Sequence, residues 1–169
     1  MITAKRQNVS FLLAGLFLIV AATQGYAASA TASVNINITI PSSSNLTLGA
    51  TNLNFTANDS TLQPTVPATE NPVSVVARVV SRGTPSLTVV ASDDLKDGQN
   101  VIPVSALSWT ADAAPFINGT LSKATPQQAA AMATGSGKYT SSFRFFLANS
   151  DFYLPGTYST TINYTLTAP

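Results

Sequence analysis

Residues 156–166 read Gly-Thr-Tyr-Ser-Thr-Thr-Ile-Asn-Tyr-Thr-Leu. Tyr158, Thr160, Ile162, Tyr164 and Leu166 fall at every second position, and Ser159, Thr161, Asn163 and Thr165 between them are all polar. Side chains alternate across a strand, so this period of two predicts a β-strand with one buried and one wet face. Pro155-Gly156 turns the chain into it. Just before that turn, Tyr139 to Ala148 puts Phe143, Phe145 and Leu147 on one face and Phe146 on the other. The chain therefore ends in two amphipathic strands.

The same grammar extends backwards. Val73 to Val80 is apolar on both faces at Val75 and Val76, as a central strand is. Arg82-Gly83-Thr84-Pro85 makes a turn, and Ser86 to Ala91 runs back. Asp93-Asp94-Leu95-Lys96-Asp97-Gly98 is the next reversal, with Asp-Gly the strongest turn dipeptide present. Val101 to Val104 and Leu107 to Thr110 are short strands, the second carrying the single Trp109. Leu46 to Leu48 and Leu53 to Phe55 are brief strand segments joined through Gly49, and Asn58 to Asn71, with Pro64 and Pro67, reads as a long polar loop. One helix is expected: Thr125 caps it, Pro126 takes the first position, Gln127 to Ala133 are helix formers and Gly135 stops it. Eight or nine short strands with this patterning predict an all-β, immunoglobulin-like antiparallel β-sandwich with one short covering helix.

At the other terminus, Lys5 and Arg6 precede an apolar run from Phe11 to Ala22, followed by small residues. This is the layout of a secretory signal, and the run of about a dozen residues falls short of the roughly 20 that a membrane-spanning helix requires. Cleavage after Gly25-Tyr26-Ala27 leaves a signal peptide of residues 1–27 and a single β-sandwich domain of residues 28–169; Ala28-Ser29-Ala30 is a second site that fits. Export to the periplasm, cell surface or medium is expected, with no stable membrane span. Next comes Ala32 to Ile40, the plainest strand period in the chain: Val34, Ile36, Ile38 and Ile40 alternate with Ser33, Asn35, Asn37 and Thr39. Pro41 and three serines stop it.

Chemistry finds little to work with. The chain has no cysteine and no histidine, which removes disulfides, thiolate ligands, cysteine nucleophiles and the commonest general base. The seven acidic residues supply no carboxyl in an apolar stretch that would keep its proton for glycosidase work. Asp93, Asp94 and Asp97 have a spacing that calcium could use if loop carbonyls completed the shell, but ordinary turn chemistry explains them. No catalytic residue, metal site or cofactor is expected, and the chain is not read as an enzyme. Without Lys5 and Arg6, six basic residues face seven acidic ones, so no basic field exists for nucleic acid. Charged residues make up 9% of the chain, against roughly 25% in ordinary soluble domains. Such a surface suits an exported protein or one that packs against copies of itself. Most aromatics fall on apolar faces; Phe152 and Tyr153, in the loop Asn149 to Gly156, are the pair free to act outward.

A signal peptide, an alternating strand at the mature N-terminus, Phe143 to Leu147 and the closing Pro155 to Leu166 together resemble secreted fimbrial subunits and spore-coat-U-like proteins. The resemblance implies a pilin-like structural or surface subunit, possessing an incomplete sandwich that accepts a neighbour's N-terminal strand. It implies copies of itself or other subunits as partners, and a periplasmic chaperone. Carried onto this chain, the donated residues are Val34, Ile36, Ile38 and Ile40. The same period equally suits the first strand of a complete sandwich. A self-contained module that recognises a glycan or a protein through end loops, with Trp109 or Phe152 and Tyr153 exposed, is the alternative from another class.

Overall fold

The computed structural model describes residues 30–169, so the expected signal peptide, residues 1–27, lies outside the described residues. The chain divides into two units, Met1–Ile38 and Thr39–Pro169. Of the first, residues 30–38 are described and contain no strand.

The second unit is an all-β, sandwich-like fold in which every strand pair is antiparallel. Its strands are β1 (Ser43–Leu48), β2 (Thr65–Pro67), β3 (Val73–Val80), β4 (Ser86–Ala91), β5 (Leu95–Asp97), β6 (Asn100–Ile102), β7 (Leu107–Ala111), β8 (Gly119–Thr120), β9 (Gln127–Ala131), β10 (Gly137–Ala148) and β11 (Ile162–Thr167). One sheet runs β1-β3-β10-β7-β8 with β2 added to β10; a second runs β11-β4-β9; β5 and β6 form a hairpin. Gly98 turns that hairpin at φ +57°, a conformation for which glycine carries no steric cost.

The core forms where the inner faces meet. Val75, Ala77, Leu87, Val89 and Phe143 are all fully buried, and Trp109 lies among them with its indole N–H donating to the Ile117 carbonyl at 2.8 Å. Phe143 is the centre of the aromatic packing, edge-on to Phe116 and Phe145 and stacked on Tyr164. Val73 to Val80, Ser86 to Ala91 and the strand around Phe143 to Leu147 thus occupy their expected places, and β3 is central, between β1 and β10.

Several expectations need correction, among them that Val101 to Val104 is a strand: β6 is Asn100–Ile102, and Val104 opens a 3-10 turn. The covering helix over Thr125 to Ala133 is instead β9, an edge strand paired with β4. The alanines that favour a helix are here the small side chains the site needs: Ala129 and Ala130 are completely buried, and the crossing segment Pro115–Ile117 bonds directly against their backbone. The loop Asn58 to Asn71 contains β2, whose Val66 is buried beside β10. Leu53 to Phe55 forms no strand, although both residues pack on the core. Finally, the last strand begins at Ile162 and not at Tyr158, because Ser159 pairs with Lys96 of the hairpin.

Candidate functional site: an open edge of the sandwich

The two long seams of the sandwich differ. Along one, β8 and β9 are bridged by Pro115–Thr120: Ile117 donates its N–H to Ala129, Ala131 donates to Pro115, and Phe116 is buried beneath. That seam is sealed.

Along the other, β1 and β11 lie beside each other as edge strands of different sheets, and neither pairs with the other. Their inward-facing residues are Leu46 and Leu48 on β1 and Ile162, Tyr164 and Leu166 on β11, and all five are only half-buried. The inward residues of the strands behind them are closed to solvent. Apolar side chains that point into a core yet retain solvent contact leave this seam less covered than the other, and edge strands present backbone N–H and C=O groups that no neighbouring strand pairs. Tyr164 stacks its ring on Phe143, and its hydroxyl points inward: burial pushes the phenol above the ordinary tyrosine range, and the hydroxyl finds no hydrogen-bond partner among the described residues.

The residues expected to form the first strand make no strand at all. Ala32 to Ile40 is unpaired among the described residues, and Val34, Ile36, Ile38 and Ile40 are 85%, 79%, 79% and 73% exposed. The alternation is present in the sequence, but among the described residues the segment belongs to no strand. Scattered exposed apolar residues are ordinary; four β-branched residues in strict alternation, all exposed, are not.

Phe152 is 93% exposed, whereas Tyr153 is half-buried and packs on the core. Their loop is tied to residues 58–64: Asn149 donates through its side chain to the carbonyls of Asn58 and Gln63, and the Ser60 hydroxyl donates to Asp151. Trp109 is core, and offers no surface to a ligand.

The expected reversal over Asp93 to Gly98 contains strand β5, and Asp93 and Asp94 just before it belong to an ion-pair network from which Asp97 is absent. Lys96 holds Asp93, and Lys123 reaches Asp94 at 2.5 Å and Asp93 at 3.4 Å. Lys96, and then the Asp94 backbone N–H, hold the Asp93 carboxyl down at about 2; Lys123 and the Val104 N–H lower that of Asp94. Glu70 is lowered by the backbone and side-chain donors of Asn54. Among the described residues no cluster of three acidic side chains is arranged to hold a metal ion.

Periodicity located the alternating segment, and the resemblance implied an incomplete sandwich; which strands flank the seam could not be read, because half-burial of β1 and β11 depends on the strands that stand beside them. No family model and no curated protein matches the chain.

Proposed function

We propose that the chain is a non-catalytic structural subunit of an exported assembly, joined to its neighbours by strand exchange. Val34, Ile36, Ile38 and Ile40 of one copy enter the gap between β1 and β11 of the next. The observation that carries this reading is the pairing of four exposed, alternating apolar residues with a seam of half-buried apolar residues in the same chain. Burying four such side chains is worth roughly 6–12 kcal/mol, and the added strand also satisfies edge N–H and C=O groups. The absence of histidine and cysteine from the chain fits a structural task.

The test is electrophoresis of protein recovered from its host, unheated against boiled in detergent. A ladder that collapses to one band on boiling is expected, because exchanged strands are held by backbone pairing and buried apolar contact. Ile36→Asp with Ile38→Asp should abolish the ladder and leave a folded monomer. A single band in both lanes from the wild type overturns the reading.

A further inference from the structure

Among the described side chains, the unpaired charges are sorted to opposite ends of the sandwich. Arg78, Arg82 and Lys138 make no ion pair, although all seven acidic residues are described. They gather where β3 ends and β10 begins, the end at which Pro169 accepts hydrogen bonds from Ser81 and Gly83 and at which β1 starts. Arg78 and Lys138 stand directly opposite each other across β3 and β10, an unfavourable like-charge pair, over a surface depression of about 440 Å³ that Ser43, Asn45 and Val80 help to line. The acids that pair with no described base are Asp59, Glu70, Asp97 and Asp151. They lie at the other end: Asp151 and Asp59 in the joined loops after β10 and before β2, Glu70 before β3, and Asp97 beside Gly156. Leu62 and Phe152, largely exposed, sit on the same loops.

At about 3.3 Å per residue, the 12 residues of β10 hold these ends roughly 35–40 Å apart, several times the 8–10 Å Debye length at ordinary salt. Attraction between them within one molecule is therefore screened out, and contact between molecules is the way in which they can meet. Strand exchange, on which this step rests, brings them together. A strand added to β11 in the antiparallel mode common to every pair here runs opposite to β11, from the Pro169 end toward the acidic end. Its Ile40 then emerges at the acceptor's acidic end. Pro41 and Ser42, spanning at most about 7 Å, connect it to the donor's own β1 and so to the donor's basic end.

We infer that the acidic, apolar loop end of each copy docks on the basic end of the next, so that charge selects a head-to-tail junction and steers the incoming subunit. The experiment follows growth of the unboiled ladder for the full-length protein and for three variants: Arg78→Glu with Lys138→Glu, Asp59→Lys with Asp151→Lys, and all four together. Each double reversal should slow growth about tenfold at low salt and flatten its salt dependence, and the fourfold variant should recover to within about threefold of wild type. Uptake of a synthetic peptide of residues 31–42, read as a mass shift under native conditions, reports on the seam alone. It also verifies that each variant is folded; Arg78→Gln with Lys138→Gln replaces any reversal that fails it. Equal peptide uptake with unchanged growth in the double reversals, or no recovery in the fourfold variant, overturns the junction and leaves strand exchange standing. No peptide uptake by the wild type overturns strand exchange itself.

Discussion

Gly119 shows how closely a single residue can bind sequence to core. It pairs with Trp109 across β7 and β8, and a Cβ there would run into the indole ring. The indole is pinned by its N–H bond to the Ile117 carbonyl and is itself 1% exposed within the core, so it has little freedom to yield. Gly119→Ala should therefore destabilise the domain by about 1–3 kcal/mol, the usual cost of an overpacked core. Chemical denaturation followed by Trp109 fluorescence measures this, and a midpoint equal to that of wild type would contradict it. Nothing in the sequence marks Gly119 out from the turn glycines. Gly98 was legible because Asp-Gly is a turn signal, whereas Gly119 acquires its role from an aromatic ring ten residues earlier in the chain.

Among elements, the most legible were those whose two faces differ. The Phe143–Leu147 part of β10 follows from a period of two, because burial on one face imposes it, while β3 was legible as an apolar run and β4 as the segment returning from the turn at Arg82–Pro85. β9 was illegible for a physical reason: helix propensity differs among residues by at most about 0.7 kcal/mol outside glycine and proline, and pairing with β4 plus complete burial of Ala129 and Ala130 outweighs it. The gap could not be read either, since β11 shows the same alternation whether its neighbour is present or missing. The β4–β5 reversal carries its own prediction. Lys96 holds Asp93 from its ordinary 3.8 down to about 2, so the folded state favours the carboxylate. The stabilisation is complete at neutral pH, begins to fade as pH approaches the ordinary 3.8 and is lost as pH falls through about 2. Both side chains are substantially exposed, so the effect is modest. Lys96→Ala should raise the Asp93 titration toward 3.8, measured by NMR of the side-chain carboxyl carbon, and should shallow the acid limb of stability. An Asp93 that titrates unchanged in the variant would show that Lys96 is not the cause.

At the level of the whole molecule, the two seams make a comparison that the chain supplies for itself. Pro115–Thr120 closes one side with main-chain bonds and the buried Phe116, and the strands behind it are dry; β1 and β11, with no such segment, leave Leu46, Leu48, Ile162, Tyr164 and Leu166 half in water. If the proposed strand exchange holds, filling this seam should add stability to the isolated chain. Saturating the full-length monomer with the residue 31–42 peptide is expected to raise its unfolding temperature by at least about 10 °C. That corresponds to only a few of the roughly 6–12 kcal/mol available from four buried apolar side chains. A peptide with Ile36 and Ile38 replaced by Asp should give no shift, because it retains the backbone donors and acceptors while losing the side chains that fill the gap. If both peptides stabilise equally, edge pairing alone accounts for the gain and the apolar alternation is not the recognition element. If neither does, the half-buried seam is the finished form of the fold, and the exposed residues at 34–40 serve some other contact.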